Sequence, residues 1–552
     1  MRVLFIYPNL YTQMGFNHGL ASLSAVLKEA GHETRLLNLN EQLPPVPSAE
    51  DILETVRHWS PGVIAFSCLT QQYDAALELA RFLRAALGED AAPLVVGGIH
   101  PTMVPEEVMG CGVWDFVGVG ECEQALLELV GRIDTGEAAE DVQNFLSWPA
   151  GQRPAEALLP VQTGWTRNPV GEFPSLEDLP VPDYGLFDTQ RITDNKNGWF
   201  GLLSSRGCPY RCTYCLNHRI IDRYRADLGR RVSSLGFFRF RAADKMIAEI
   251  KEVLSRYDGI ETFIFDDDLF TQNVDHALAI CAAYRDAKIG VPFVVNAHVK
   301  RLDPRVAEAL AEAGAKILKL GIESGSPRVR ARVLKRHMTD ADIDETVKSA
   351  EKYGLHTSGF VMVGLPTETE AELWETVDCL ARTGIGRFRT SFFFPFPGTE
   401  GWQQTLDAGH LDPAGIESLS TFTDGSALDF GARQNLLVDK LGCCMSWFVN
   451  ARWQRYHPET GASLRYAPLC SLVLAMDEDE WRAFRPQVRE RDGTISAAAT
   501  AAGELHYAIR YHDSMGVRSD YFLAEEASQE WSTAAARPTQ VEVQAAAAGE
   551  KP

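Results

Sequence analysis

Residues 199–215 read WFGLLSSRGCPYRCTYC, a short apolar run that leads directly into a loop with three cysteines. The run is typical of a buried strand. The loop thiols are Cys208, Cys212 and Cys215. Thiolates are soft ligands that suit iron–sulfur clusters or zinc. A structural zinc site takes four protein ligands, for which His218 is the only nearby candidate, whereas three ligands on a four-iron cluster leave one iron open. Three buried thiols without a metal are the plainer alternative.

The strand–helix rhythm that begins at residue 199 continues to residue 400. Helical patterns, for instance Asp244–Arg256 and Asp340–Tyr353, separate further apolar runs. Six such units in about 200 residues predict a partial barrel of the (β/α)6 TIM type, whose chemistry lies at the carboxyl ends of its strands. The predicted strands lie near Phe200–Ser204, Thr262–Asp266, Phe293–Asn296, Ile317–Gly321, Ser358–Val363 and Phe388–Phe394.

A second rhythm of the same kind fills residues 1–134. Short, continuous apolar runs alternate with helical patterns, which is typical of an α/β domain with a doubly wound, Rossmann-like parallel sheet. Such a sheet binds ligands outside the carboxyl ends of its strands. The loops there are rich in glycine and small polar residues, as in SCLTQQY (67–73) and GGIHPT (97–102). The predicted strands lie near Val3–Tyr7, Thr34–Leu39, Val63–Phe66, Leu94–Val96 and Phe116–Val119.

The remaining segments differ in composition. Residues 135–198 are rich in proline and acidic residues, so we predict an ordered linker that crosses a domain surface. Residues 401–525 are predicted to form a mostly helical region that closes the substrate pocket. The last segment, 526–552, is low in complexity and is predicted to be disordered.

Composition limits the class of protein. Among 552 residues, 75 Asp and Glu outnumber 53 Lys and Arg, and the net charge of −22 argues against nucleic acid as a partner. No apolar stretch approaches the ~20 residues that a membrane span needs, and the first apolar run is too short for a signal peptide. Eleven cysteines without such a signal indicate metal binding or buried thiols rather than disulfides. We therefore expect a cytoplasmic protein.

The three-cysteine loop resembles that of the radical S-adenosylmethionine (SAM) superfamily, whose hallmark is CxxxCxxC with an aromatic residue before the last cysteine. Tyr214 fills that place. The resemblance covers residues 199–400. It implies that the three thiolates hold a [4Fe-4S] cluster and that its open iron binds SAM. One electron then cleaves SAM to methionine and a 5′-deoxyadenosyl radical.

Later strand ends match the same superfamily. The resemblance implies that Asp267 contacts the SAM amino group, that Glu323 and Ser324 lie at the ribose, and that the backbone of Val363 and Gly364 meets the adenine. Taken singly, aspartates at a strand end are more often helix caps or turn residues. As a set in register after CxxxCxxC, these residues predict a SAM cleft.

The loops of residues 1–134 resemble those of cobalamin-binding domains. In that family a Ser-x-Leu turn and a Gly-Gly pair make room for the nucleotide tail, because glycine lacks the Cβ that would keep the ligand away. The stretch 118–123, GVGECE, matches the GEGE-type loop of B12-binding radical SAM proteins, with Cys122 in place of the second glycine. The residues implied to contact cobalamin are Ser67, Leu69, Thr70, Gln71, Gly97, Gly98, His100, Pro101, Gly118, Gly120 and Glu121.

One departure concerns the cobalt. Many cobalamin proteins carry Asp-x-His-x-x-Gly in the first loop, but the sequence around His18 lacks both the Asp and the Gly. We therefore expect cobalamin to bind without a protein histidine, with its lower face covered by residues 69–73. His18 is then a loop or helix-start residue. A degenerate front domain that binds nothing is the alternative.

The group that the chain resembles mostly methylates unactivated carbon. The resemblance therefore implies a cobalamin-dependent C-methyltransferase for a natural-product-type substrate, either a small molecule or one bound to a carrier or peptide. It also implies an external flavodoxin- or ferredoxin-like electron donor. Arg389 could pair with a substrate carboxylate or phosphate, although a structural ion pair explains it equally well. The residues that we expect at the substrate are Asp268, Asn296, His298, Arg389 and Phe394.

Three alternatives stay open. A cyclase, isomerase or oxidoreductase of the same architecture would use cobalamin without transferring a methyl group. A methylthiotransferase-like enzyme would hold a second cluster on Cys68, Cys111 and Cys122, although their spacing does not match that family. A non-catalytic cobalamin-binding regulator is opposed by the intact three-cysteine motif.

Overall fold

The computed structural model describes residues 1–10, 12, 14–88, 91–149, 152–154, 164–411, 425–458 and 461–521. The segment predicted to be disordered, 526–552, lies outside the described residues. Two large sheets organise the described part of the chain, one in its first third and one in its middle.

The first sheet has seven strands. They are β1 (Arg2–Tyr7), β2 (Glu33–Asn38), β3 (Val63–Ser67), β4 (Leu94–Gly97), β5 (Phe116–Gly118), β6 (Phe145–Ser147) and β7 (Thr166–Arg167). Their order is β2-β1-β3-β4-β5-β6-β7, parallel as far as β5 and antiparallel at β6 and β7. The predicted parallel sheet is confirmed, but two strands from the predicted linker extend it. β6 pairs with the backbone groups that β5 would otherwise expose at the edge, and β7 pairs with β6 in turn.

Helices cover both faces of this sheet. Alternate residues of β1 enter two apolar cores, with Leu4 and Ile6 in one and Val3 and Phe5 in the other. Burial on both faces explains why the strands read as continuous apolar runs. The helices are α1 (His18–Glu29), α2 (Ala49–Trp59), α3 (Tyr73–Leu87), α4 (Ile99–Met103), α5 (Pro105–Gly110) and α6 (Glu123–Thr135).

The segment predicted as a linker is tightly bound to both sheets. Besides β6 and β7 it forms α7 (Thr189–Asn195). The ring of Phe173 stacks on Tyr224 with centroids 3.8 Å apart. The Tyr184 hydroxyl donates a 2.7 Å hydrogen bond to the fully buried carboxylate of Glu249. Arg241 pairs with the same carboxylate.

The second sheet is the wall of a partial barrel. Its strands are β8 (Trp199–Leu202), β11 (Thr262–Phe265), β12 (Phe293–Ala297), β13 (Ala315–Glu323), β14 (His356–Val363), β15 (Arg387–Phe392), β16 (Tyr507–Ile509) and β17 (Met515–Arg518). All six predicted strands are present, parallel and in sequence order from β8 to β15. The hairpin β16–β17 extends the sheet antiparallel to β15. Within the described residues β8 and β16 are the edges, so the barrel stays open.

Helices surround the barrel and form most of the region after it. Trp447 and Trp481 are buried there, and the indole N–H of Trp447 donates to Asp492 at 2.7 Å. The barrel helices are α8 (Asn217–Leu228), α9 (Ala243–Arg256), α10 (Val274–Asp286), α11 (Pro304–Ala313), α12 (Asp340–Lys352), α13 (Glu370–Thr383) and α14 (Glu400–Asp407). The later helices are α15 (Ala432–Trp453), α16 (Ser463–Ala475), α17 (Glu478–Phe484) and α18 (Val488–Ala501).

Two short features complete the site's surroundings. A two-stranded ribbon, β9 (Ser205–Arg206) with β10 (Arg239–Phe240), follows β8 and leads into the cysteine loop. A small apolar cluster of Trp199, Ile264, Val294 and Ile317 fills the lower barrel. We call this cluster the barrel floor.

No helix among the described residues is both long and apolar enough to span a membrane.

Replacing Tyr184 by Phe should destabilise the junction between linker and barrel. The change removes one hydrogen-bond donor from a buried carboxylate, which costs about 1 to 3 kcal/mol. Thermal unfolding of the purified chain measures the loss. Tyr257→Phe is the control, because the Tyr257 hydroxyl makes no hydrogen bond within the described residues. Equal melting temperatures for the two variants would contradict the argument.

Candidate functional site

A cavity of about 360 Å³ lies at the carboxyl ends of β1, β3, β4 and β5. We call it the front cavity. Most of its wall belongs to the first sheet, but Leu203 and Arg206 from the barrel also line it. Seven residues from the predicted cobalamin loops line this cavity: Ser67, Leu69, Gly97, Gly98, Gly118, Gly120 and Glu121.

Two adjacent glycines shape the wall of the front cavity. Gly98 has a φ of 101°, and a Cβ there would lie 2.7 Å from the carbonyl oxygen of Cys68. A Cβ on Gly97 would meet no atom within 4 Å, so Gly97 borders open space. Because an added side chain at Gly97 would project into the cavity, the missing Cβ leaves room that a bulky planar ligand can use. The residues present therefore fit a corrinoid.

Four of the predicted cobalamin residues lie behind the wall of the front cavity. The His100 ring packs against Tyr73 with centroids 4.3 Å apart and planes inclined by 31°, and its Nδ1 lies 3.4 Å from the Thr70 hydroxyl. Burial lowers the pKa of His100 to about 4, so the ring is neutral at physiological pH. Pro101 is buried and Gln71 is half-buried. These four residues are outside the cavity lining.

A second cavity, of about 210 Å³, lies at the carboxyl ends of the barrel strands. We call it the barrel cavity. It brings together residues from the cysteine loop and from β11, β12 and β13, as predicted from their positions after these strands. The predicted residues that line it are Cys208, Cys212, Tyr214, Cys215, Asp268, Asn296, His298 and Glu323.

An arginine that sequence reasoning missed connects the cysteine loop to β13. One guanidinium nitrogen of Arg336 lies 3.5 Å from the sulfur of Cys212 and 3.2 Å from the Tyr214 hydroxyl. The other donates to the carbonyl of Gly321 at 2.7 Å. The contact places a positive charge beside one of the three predicted cluster ligands. Arg336 follows a π-helical turn, Val329–Val333, and no local pattern marks it as part of the site.

Backbone distortion directs Glu323 into the barrel cavity. Its φ is 67°, and the register of β13 against β14 shifts between Gly321 and Glu323. Such shifts re-aim side chains, and left-handed residues other than glycine concentrate at functional sites. The Tyr214 hydroxyl donates to the Glu323 carboxylate at 3.0 Å. Burial raises the pKa of Glu323, and Arg336 opposes that shift.

The donor set fits a four-iron cluster better than a single ion. Among the described residues, no three His, Cys, Asp or Glu side chains are arranged to hold one metal ion. The three thiols nevertheless share the wall of one cavity. In a cubane each thiolate binds a different iron, so its sulfurs lie farther apart than zinc ligands do. His218, the candidate fourth zinc ligand, is buried outside this cavity.

Three of the predicted residues hold the cysteine loop in place. Asp267 is fully buried and accepts hydrogen bonds from the Ser204 amide at 3.1 Å and from the Ser204 hydroxyl at 2.8 Å. Burial raises the pKa of Asp267 to about 6, and the carboxylate does not face the cavity. The Asn296 amide donates to the Asp267 carbonyl at 2.9 Å. His298 stacks on Tyr210 at 4.0 Å.

The other predicted residues lie outside the barrel cavity. The Ser324 hydroxyl accepts a hydrogen bond from the Ser326 amide, and the Gly364 amide donates to Glu368 at 2.9 Å. Val363 is buried in the main core. Phe394 packs in a buried cluster with Phe393 and Leu365. Arg389 extends from β15 and is half-buried.

The two cavities adjoin across the domain boundary. The Glu121 carboxylate pairs with Arg206 at 2.7 Å and also with Arg239. Arg206 additionally pairs with Glu123 at 2.7 Å. His18, which lines the front cavity, lies 3.2 Å from the Asp266 carboxylate at the end of β11. The front sheet and the barrel therefore meet through charged side chains beside both cavities.

Two family models match the chain in agreement with this geometry. The model described as B12 binding domain matches residues 11–130, and that of the Radical SAM superfamily matches residues 202–380. An uncharacterized methyltransferase from Pyrococcus horikoshii is 26% identical over 70% of this chain and 78% of its own length. An anaerobic magnesium-protoporphyrin IX monomethyl ester cyclase from Rubrivivax gelatinosus is 23% identical over 83% of this chain and 79% of its own length.

A solved structure shares the fold. It is the radical S-adenosylmethionine methyltransferase TsrM from Kitasatospora setae with cobalamin and a [4Fe-4S] cluster bound. The match has a TM-score of 0.59 and 17% identity, and it covers 91% of this chain and 100% of that one.

Replacing Glu121 by Gln should loosen the boundary between the domains. The change removes the paired carboxylate from Arg239 and leaves Arg206 paired with Glu123, which costs about 2 to 3 kcal/mol in a partly buried cluster. Burial raises the pKa of Glu121, but Arg206 and Arg239 lower it further, so the net pKa lies below its ordinary value. The stabilisation is therefore complete above about pH 4.5 and is lost as pH falls through the lower folded-state pKa.

Unfolding midpoints at pH 7 and at about pH 3 measure this effect, because the lower pH lies well below the ordinary carboxyl pKa. The difference in unfolding midpoint between wild type and Glu121→Gln should be large at pH 7 and smaller at acid pH. Glu106→Gln is the control, because Glu106 lies 3.7 and 4.0 Å from its arginines and is about half exposed. A gap that does not change with pH would contradict the assignment.

Proposed function

Because this chain belongs to the cobalamin-dependent radical SAM superfamily, we propose that it methylates an unactivated carbon of a natural-product-type substrate. The observation that carries the proposal is the contact between the two cavities. A glycine-lined cavity that fits a corrinoid and a cavity with three thiols lie next to each other, because Leu216 lines the first and its chain neighbour Asn217 lines the second. A substrate held there has access to both. Polar methyl transfer cannot reach a carbon whose C–H bond is not acidic, so such a carbon needs both cofactors.

The lining residues of the two cavities support a proposed place for each cofactor. The loop thiols would hold a [4Fe-4S] cluster, the rest of the barrel cavity SAM, and the front cavity cobalamin. When bound, these groups supply a 5′-deoxyadenosyl radical for hydrogen abstraction and a methyl group for transfer.

The chain's own residues prepare this chemistry. Arg336 keeps positive charge beside Cys212, and the stack of Tyr210 on His298 fixes the loop from the other side. Tyr214 and Glu323 present a hydrogen-bonded polar wall that suits ribose hydroxyls. The apolar side chains of the front cavity exclude water, which would otherwise quench reactive species.

A cyclase without net methyl transfer is the second candidate, favoured by the similarity to the Rubrivivax gelatinosus cyclase. The product's mass separates the two, because only methylation adds one CH2. A second cluster receives less support. Cys68 and Cys122 line the front cavity, and the Cys122 thiol lies 3.7 Å from the Val119 carbonyl. Cys111 lies outside that lining, 3.8 Å from the Tyr73 hydroxyl.

We further propose an acidic flavodoxin- or ferredoxin-like protein as the electron donor, in the cytoplasm. All eleven cysteines are free, which suits a reducing compartment. Although the net charge of the chain is −22, the stretch 211–231 around α8 holds six arginines and two aspartates. Five of these arginines are exposed, and Arg211 lies inside the cysteine loop itself. Complementary charge would steer an acidic donor to this face.

Two substitutions should separate the cofactor sites. Cys212→Ala should abolish reductive 5′-deoxyadenosine formation and leave cobalamin uptake largely intact. Gly97→Leu should fill the front cavity and weaken cobalamin uptake about tenfold or more, while the iron content stays at about four per chain. Anaerobic purification with hydroxocobalamin, followed by metal analysis and product mass spectrometry, measures both. Wild type with no bound cobalt, or with about eight irons, would contradict the proposal.

Charge reversal on α8 should slow reduction of the cluster by a flavodoxin. Arg225 is 49% exposed, and Arg225→Glu should lower the rate about threefold or more at low salt, with a smaller effect at high salt. Stopped-flow absorbance follows the reduction. The control is Arg285→Glu, an exposed position at the far end of α10. Dithionite, a small reductant, should reduce both variants equally. If Arg225→Glu lowered the rate of reduction equally with flavodoxin and with dithionite, the α8 face would not be the docking surface for the donor.

A further inference from the structure

The interior of the barrel carries a charged layer directly above its floor. Parallel pairing places Asn296, Lys319, Ser358 and Arg387 in one row across four strands. Side chains in such a row point to the same side of the sheet. Asn296 and Lys319 line the barrel cavity, so the row faces inward. The row one step below holds Val294 and Ile317 of the floor.

Lys319 is the member of this layer that the chain leaves unsatisfied. Its ammonium makes no hydrogen bond or ion pair within the described residues. Burial lowers the pKa of Lys319 to about 8; Asp266 opposes the shift, and Arg387, Lys196 and Arg389 add to it. A cation taken from water without a partner is costly, and neighbouring cations increase the cost. An anion bound beside it would remove that cost.

The position of Lys319 relative to the two cavities also favours a role in substrate binding. Asp266, the carboxylate that acts on Lys319, is already engaged by His18 at 3.2 Å. His18 lines the front cavity and Lys319 lines the barrel cavity. Lys319 therefore lies on the barrel side of the boundary between the two cavities. A substrate that extends from one cavity to the other can therefore place an anionic group beside this ammonium.

We propose that Lys319 binds an anionic group of the substrate, a carboxylate or a phosphate, and so orients the carbon that reacts. A charge-assisted hydrogen bond from the ammonium would supply the attraction. Arg387 and Arg389 would add positive potential near Lys319 and so reinforce the attraction for an anion. The inference rests on the proposed function and specifies its substrate class. It replaces Arg389 with Lys319 as the primary anchor, because Arg389 is not part of the cavity lining.

Trace labelling of lysines tests the assignment in the intact protein. The full chain, loaded with cluster, cobalamin and SAM under anaerobic conditions, is treated with a trace of acetic anhydride, and labelled peptides are quantified by mass spectrometry. Inorganic pyrophosphate and succinate serve as the phosphate and carboxylate probes. At least one of them should slow labelling of Lys319 about tenfold, the effect of one charge-assisted hydrogen bond. Lys316 on the same strand lines a different pocket and should not respond.

Variants provide an independent measurement. Equilibrium dialysis with the protecting probe should show about tenfold weaker binding to Lys319→Met and recovery in Lys319→Arg, which restores the charge. Cobalamin uptake reports whether each variant is folded. If Lys319→Met fails to fold, the labelling of wild type decides alone.

Two results would overturn the inference. One is equal labelling of Lys319 with and without both anions. The other is complete protection by SAM alone with no further effect of the anions, which would assign Lys319 to SAM. Methyl transfer is scored separately. If the anions protect Lys319 but no methylated product forms, the anion site is supported and the proposed function is wrong. If methylation occurs but the anions do not protect Lys319, the proposed function is supported and the anion site is wrong.

Discussion

The carboxylate of Glu121 lies between the guanidiniums of Arg206 and Arg239, at the boundary of the two large sheets. Glu121 belongs to the glycine-rich loop of the front cavity, and Arg206 ends the short strand that enters the cysteine loop. One ion-paired cluster thus sets the position of one loop relative to the other. The alignment of the two cavities, and with it any chemistry that uses both, depends on this cluster.

Electrostatic balance differs between the two sides of that boundary. At Glu121 the charges are matched by short pairs, so the pKa of the carboxylate falls despite its burial. Inside the barrel, burial lowers the pKa of Lys319, and the nearby cations Arg387, Lys196 and Arg389 add to the shift. The first arrangement stabilises the fold. The second is unfavourable without a ligand, as is common for groups that bind or react.

Sequence reasoning located the strands, because apolar runs of this length alternate with helical patterns in both domains. It also placed Tyr214 and Glu323 in the same cavity as the three thiols, since all of them follow barrel strands. It missed Arg336, which meets Cys212 across 124 residues of sequence, and Lys319, which is hidden inside an apolar strand pattern. Contacts between residues so far apart in the sequence depend on how helices and strands pack, so no local sequence pattern reveals them. The same limit applies to Asp267, which the resemblance placed at the SAM amino group and whose carboxylate accepts hydrogen bonds from Ser204.

The hairpin β16–β17 has a consequence for how the chain is handled. It pairs with β15 and thereby covers the backbone groups along one rim of the barrel. An uncovered strand of this kind is a template for association with other chains. Shortened versions of the protein that stop before residue 505 would keep every cofactor-lining residue and still be prone to aggregate. Solubility of the barrel thus depends on residues far from its chemistry.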